Sequence, residues 1–169
     1  MLFTPSLTEW AVLGLLGGGP AHGFAMAREL GTAAPLGRII TVRRPLVYRA
    51  LERLEAAGWC GPVYTEPGKA GPNRTVYRIT PTGRRGLKRW LSQPVGHVRD
   101  LRIEFLLKVG LKRRAGEDID DLVSRQQEVL EATLGALTRG RVLDEVDLWR
   151  RHNARAVRAF LRDLQKRSG

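Results

Sequence analysis

One cysteine and three histidines are all that this 169-residue chain holds of the side chains most used for nucleophilic, metal and proton chemistry. Cys60 cannot close an intramolecular disulfide, so nothing points to an oxidising compartment. It has no CxxC partner and lies among apolar residues, which suits a structural thiol better than a nucleophile. His22, His97 and His152 are scattered, with no HExxH and no carboxylate at metal-site spacing, so packing or surface roles are expected of each. Long apolar runs are also missing. The longest, residues 10–16, contains Gly14 and falls far short of the ~20 residues that span a bilayer. Glu9 and no Lys or Arg precede it, so no secretory leader is expected. These absences predict a cytoplasmic, soluble protein with no membrane partner, no metal and no cofactor.

Acidic residues are scarce as well: 17 Asp and Glu stand against 29 Lys and Arg, a formal net charge of +12. A surplus of that size attracts polyanions. Residues 1–92 carry 13 basic and five acidic side chains, whereas residues 93–169 carry 16 and 12, interleaved along helical patterns. The first part therefore reads as the polyanion binder and the second as a solvated helical module. An arginine-rich proteome would raise the charge too, so +12 alone favours DNA only modestly.

The pattern predicts a mainly α chain with a small β-hairpin. Ser6 or Thr8 can cap a first helix through Leu16, with Glu9 well placed for its N-terminus. Gly17-Gly18-Gly19-Pro20 ends it. A second short helix is expected over residues 23–30, ended by Gly31, then a loop over 32–41. A third runs from Arg44, with Pro45 in its first turn, to Ala57; Val47, Ala50, Leu51 and Leu54 form its buried face. Residues 59–65 and 75–79 read as two strands joined by a turn-rich loop over 66–74. Thr80-Pro81 opens a fourth helix. Helix, helix, helix, strand, loop, strand is the order of a winged helix-turn-helix, expected over residues 1–92. Residues 93–169 are expected to form a helical dimerisation domain: a short helix over 100–111, a long one over 117–138 and a last one over 143–166. Their apolar stripes are too thin a core alone and are expected to close against a partner.

On the third helix Arg49 and Glu52 point away from the core, Tyr48 and Arg53 flank that face, and Arg43 and Arg44 crowd its start. Guanidinium forks there can bond guanine edges or phosphate, and Tyr48 can donate to phosphate. Lys69 and Arg74 lie on the loop that would form the wing, where cations can enter a minor groove or touch the backbone. Solvated surface arginines, offset by Glu52 and Glu55, are the alternative for the helix alone. Arg84, Arg85, Lys88 and Arg89 read as a solvated face. Enzyme patterns fail: Gly17 and Gly19 would need a third glycine where His22 stands, and no GK[ST] follows. Glu117, Asp118, Asp120 and Asp121 cluster where a helix start favours acids. Trp149 and Phe160, with Trp10, read as core before ligand box.

Val12-Leu13-Gly14-Leu15-Leu16 with Gly19-Pro20-Ala21-His22-Gly23-Phe24 resembles the "LGLL…GPxHGY" opening of PadR-type transcriptional regulators. The run Val47-Tyr48-Arg49-Ala50-Leu51-Glu52-Arg53-Leu54-Glu55-Ala56-Ala57-Gly58 is similar to their recognition-helix signature, and Val76 to Gly83 to their "YxLTxxG". The C-terminal part resembles, more loosely, the longer PadR subfamily whose added helices form a dimer interface. The resemblance implies a homodimeric repressor on double-stranded DNA, at an operator near its own promoter, released by a small hydrophobic effector. Tyr48 then matches the recognition-helix tyrosine, Lys69 and Arg74 match basic wing positions, and His22 packs or caps. Arg43-Arg44-Pro45-Leu46 departs from the usual small, polar helix start. A helical ligand- or protein-binding dimer with an incidental basic surface is the competing reading.

Overall fold

The computed structural model describes residues 3–68 and 71–167. Lys69 lies outside them. The chain is mainly helical, with one small antiparallel sheet in its N-terminal half. Helix α1 (Leu7–Gly17) starts on a reciprocal cap: Ser6 Oγ accepts from Glu9 N, and Glu9 Oε2 accepts from Ser6 N at 2.6 Å. Strand β1 (Ala21–His22) follows, then α2 (Gly23–Glu29) and α3 (Arg44–Ala56). Strands β2 (Cys60–Gly68) and β3 (Gly71–Ile79) form the wing, and α4 (Pro81–Ser92) is capped by Thr80 Oγ1. Helices α5 (Glu104–Arg114), α6 (Asp120–Arg139) and α7 (Glu145–Lys166) complete the chain.

Four expectations change in detail. The sheet has three strands, in the order β1-β3-β2, because Ala21 and His22 pair with Tyr77 and Val76. Both wing strands reach into the stretch expected as loop, so Glu66 and Arg74 are cross-strand partners instead of loop residues. The 32–41 segment is not simply loop: Leu36–Arg38 makes a 3₁₀ turn that buries Leu36. The short helix expected over 100–111 divides into a 3₁₀ turn, Val98–Arg102, and α5.

Two helices end on the same device. Gly58 (φ 72°) and Gly116 (φ 71°) occupy the left-handed region. After α3, Gly58 N donates to Glu55 O and Trp59 N to Leu54 O; after α5, Gly116 N donates to Arg113 O and Glu117 N to Lys112 O. Those paired bonds satisfy carbonyls that a helix end leaves open, and glycine enters the conformation at no steric cost.

The first core gathers Val12 and Leu16 of α1, Met26 of α2, Val47, Leu51 and Leu54 of α3, and Trp90 of α4. Trp10 stacks on Trp90 with ring centroids 4.8 Å apart and planes 6° from parallel. The second core joins Phe105 and Val109 of α5 to Leu122, Leu130 and Leu134 of α6 and to Ala154 and Leu161 of α7. Helix α5 serves both: Leu107 and Leu111 belong to the first core. Gly14 makes room for this, since a Cβ there would come within 2.4 Å of Leu111 Cδ1. Burying a leucine this way is worth ~2–3 kcal/mol. Between α4 and α5, Gln126 fixes the connecting chain, its amide accepting from Val95 N at 2.7 Å and donating to Val95 O at 2.9 Å.

Trp149 and Phe160 do not join the core. The face of α7 that meets α6 carries Ala154 and Leu161, leaving Val146 (54% exposed), Trp149 (70%) and Phe160 (39%) on the surface. Among the described residues no helix is long and apolar enough to cross a membrane.

Cys60 is buried, its thiol directed at Leu51 O. Burial first, and the nearby Glu55 carboxylate second, push its pKa up to about 11. Native protein at pH 8 is therefore expected to react with iodoacetamide about a hundredfold more slowly than urea-unfolded chain. Equal rates would overturn this. The sign of the linkage follows. The fold holds this proton where the unfolded chain releases it, so Cys60's contribution to stability is full below the ordinary thiol pKa and is lost as pH rises through about 11.

Candidate nucleic-acid interface

Helix α3 carries its charge unevenly along its length. Arg43 is the N-cap, Arg44 and Pro45 make the first turn with no acidic residue, and Arg43, Arg44, Tyr48 and Arg49 are all exposed. Glu52 and Glu55 lie in the second half. Val47, Ala50, Leu51 and Leu54 bind the opposite face to the first core, so the arginine-rich end is presented outward on a rigid helix. Arg43, Arg44 and Arg49 make no ion pair with any described residue. Unpaired guanidiniums keep all their donors available for a bidentate acceptor, a base edge or a phosphate.

Arg53 is placed differently. Its Nε lies 2.8 Å from Glu9 Oε1, and its guanidinium stands over the Phe3 ring at 6.0 Å. Glu9 is only 2% exposed and already caps α1, so Arg53 neutralises a buried carboxylate and ties α3 to α1.

The wing approaches that end of α3 through Phe24 of α2. Arg74, on β3, reaches back so that its guanidinium sits 5.0 Å from the centroid of the Phe24 ring, and Arg44 approaches that ring at 5.1 Å. Arg74 likewise has no ion pair among the described residues. Its cross-strand neighbour Glu66 faces His22 instead, with Oε1 3.5 Å from Nε2. His22 has a second task as N-cap of α2: Nδ1 accepts from Ala25 N at 3.0 Å, so the ring proton resides on Nε2. The capping role read for His22 is thus what the fold uses. Next to it, Gly23 lets the Tyr48 ring lie on the backbone, since a Cβ there would be 2.7 Å from Tyr48 Cε1.

Arg43, Arg44, Tyr48 and Arg49 are exposed on α3, Arg74 of β3 joins that surface where it shares the Phe24 ring with Arg44, and Arg53 is committed to Glu9. Sequence reasoning missed Phe24, 38% exposed and in contact with both arms of this surface. Its only signal was its place beside His22-Gly23. Exposed Val63 and Tyr64 on β2 were missed too. Among the described residues no group of His, Cys, Asp or Glu could hold a metal ion.

Residues 12–89 match the model of the transcriptional regulator PadR-like family. No curated protein matches the chain. Among solved structures, Bacillus subtilis PadR in complex with operator DNA is 18% identical with a TM-score of 0.49, covering 93% of this chain and 97% of that one. The Streptococcus mutans protein smu.1604c is 18% identical with a TM-score of 0.45, covering 92% of this chain and 96% of that one.

Proposed function

We propose that this chain is a PadR-type transcriptional regulator that binds double-stranded DNA sequence-specifically as a homodimer and acts as a repressor released by a small hydrophobic effector. The observation that carries the reading is the cluster of unpaired arginines, Arg43, Arg44 and Arg49, at the exposed start of α3 beside Arg74 of the wing. The family match over residues 12–89 supports it. In this reading residues 1–92 bind DNA and residues 93–169 dimerise. The start of α3 enters the major groove, Tyr48 donates to a phosphate, and Arg74 and Lys69 meet the backbone or minor groove. Arg53 supports the helix through Glu9.

The solvent-exposed stripe Val146, Trp149 and Phe160 on α7 supports the homodimer, because a stripe of that kind gains from burial against a second copy. A cleft of about 440 Å³ beside Gly14, Pro20, Leu111 and Arg114, where α5 meets α1, supports the effector, since a ligand there would touch Leu15 and Leu111 of the first core.

The test is fluorescence anisotropy on the DNA upstream of its own gene and on a scrambled duplex of equal length, across a salt series, with sedimentation at micromolar protein. A gap of ~4 kcal/mol or more between the duplexes is expected. Arg49→Ala is expected to cost ~1–3 kcal/mol on the upstream duplex and to relax base preference at one position. Equal, steeply salt-dependent binding to both duplexes would favour the helical interaction module with an incidental basic surface. A monomer would overturn the dimer.

A further inference from the structure

Among the described residues, Phe24 is the one aromatic ring that meets cations from both α3 and the wing. Its centroid lies 5.1 Å from the Arg44 guanidinium carbon and 5.0 Å from that of Arg74, within the range where a cation is drawn to an aromatic face. Arg44 comes from α3 and Arg74 from β3, so the ring joins the helix to the wing. The carboxylate nearest in register to Arg74, Glu66, is turned to His22. Neither arginine has an ion pair among the described residues, and the Phe24 ring quadrupole is an attraction that the two like charges share. The ring is itself well anchored. His22 caps the first turn of α2, Tyr48 covers Gly23, and buried Met26 holds α2 in the first core.

We propose that Phe24 is a positioning residue for DNA recognition: it seats Arg44 and Arg74 as a pair, so that recognition helix and wing engage one stretch of DNA together. The inference rests on the DNA-binding reading above and adds a residue and a coupling to it. A flexible arginine must give up rotamer freedom when it binds; one already seated on a ring gives up less. Two arginines seated on the same ring share that gain, and losing either changes what the other finds. Their contributions to affinity are therefore interdependent.

The test uses the full chain and the duplex it binds most tightly after selection from a randomised library. Phe24→Leu keeps an apolar side chain and removes the ring; its affinity for that duplex is expected to fall about fivefold to tenfold, the cost of ordering two arginines that no ring seats beforehand. Phe24→Tyr restores it, because the ring face is kept. In the Phe24 background, Arg44→Ala with Arg74→Ala loses less than the product of the two single losses; in the Phe24→Leu background the losses multiply. A structural role alone would not produce that change in coupling. In the free protein, the Arg74 side-chain protons are expected to show upfield ring-current shifts that vanish in Phe24→Leu, whereas Arg44 keeps the part due to Tyr48, whose ring centroid is 5.9 Å away. Unchanged thermal unfolding of Phe24→Leu separates positioning from folding. Specific binding that Phe24→Leu leaves intact, or equal coupling in both backgrounds, overturns this proposal alone. If the library yields no preferred duplex, the DNA reading fails and the proposal falls with it, a result distinct from the first.

Discussion

Glu104→Ala is expected to destabilise the protein by about 3–5 kcal/mol, because it strands a buried ammonium. Lys108 is 1% exposed, and its Nζ contacts Glu104 Oε1 at 2.8 Å, donates to Gln93 O at 2.8 Å and stands 4.8 Å from the Trp90 ring centroid. The same carboxylate oxygen accepts from Trp90 Nε1 at 3.2 Å. Removing it takes the counter-charge from one buried donor and the acceptor from another. Lys108→Met removes the charge and keeps an unbranched apolar chain, leaving Glu104 with Trp90 and partial access to water; its cost is expected to stay under ~1.5 kcal/mol. Urea unfolding of both variants measures the difference. A loss for Glu104→Ala within 1 kcal/mol of Lys108→Met would mean that water reaches Lys108.

The pH dependence has a definite sign. Burial lowers the Lys108 pKa, and the Glu104 hydrogen bond and charge work against that lowering. A base whose folded pKa lies below its unfolded one binds fewer protons in the fold. Its cost is therefore full below the folded pKa and fades as pH rises toward the unfolded value. Without Glu104 the lowering deepens, so the gap between Glu104→Ala and wild type is expected to narrow on the alkaline side. A gap that stays constant to pH 10 would contradict the assignment.

Gly83→Ala is the second substitution with a large expected effect, and helix propensity alone misjudges its sign. Alanine is favoured over glycine in a helix by ~1 kcal/mol, and Gly83 lies in the first turn of α4. Yet a Cβ on Gly83 would stand 2.1 Å from Trp59 O and 2.9 Å from Trp59 C. These are backbone atoms, and Trp59 O already accepts from Thr80 N at 3.0 Å, so neither partner can yield cheaply. The clash wins, with an expected loss of about 3 kcal/mol and separation of α4 from the start of the wing. Gly96→Ala, where a Cβ meets nothing within 4 Å, is the control and is expected to change stability by under ~0.5 kcal/mol. Thermal midpoints of the two variants decide it; equal midpoints would refute the argument. The glycine of the "YxLTxxG" run thus has a steric reason to be there.

Local signals were the legible ones. Ser6 and Glu9 three residues apart, Thr80 before Pro81, Pro45 in a first turn and the i, i+3, i+4, i+7 apolar face of α3 each act within one or two turns of chain, and each shaped the element it announced. What escaped depends on distant partners. Strand β1 is two residues long and exists because β3 pairs with it. The turn-rich residues of the wing became strand because the facing chain supplied hydrogen bonds. Arg53 lay near the outer face of its helix by angle, but the carboxylate that claims it belongs to a helix 44 residues earlier. Lys108 and Gln126 carried no mark of burial in a basic, polar sequence; only the meeting of α4, α5 and α6 encloses them. Of the candidate interface, Arg43, Arg44, Tyr48 and Arg49 could be placed on the exposed side of α3 by helical periodicity. Phe24 could not, because its meaning comes from two arginines that the fold brings to it.

The four tryptophans divide the protein optically. Trp59, Trp10 and Trp90 touch in series, and the last has an ammonium against its face. Trp149 stands alone on the last helix, mostly in water. The intrinsic fluorescence therefore carries two separable signals: a shielded, electronically coupled component that reports whether the N-terminal half is packed, and a red-shifted, quencher-accessible one that reports whether the outer face of α7 is covered. A single unlabelled sample can then show assembly and unfolding as distinct spectral events.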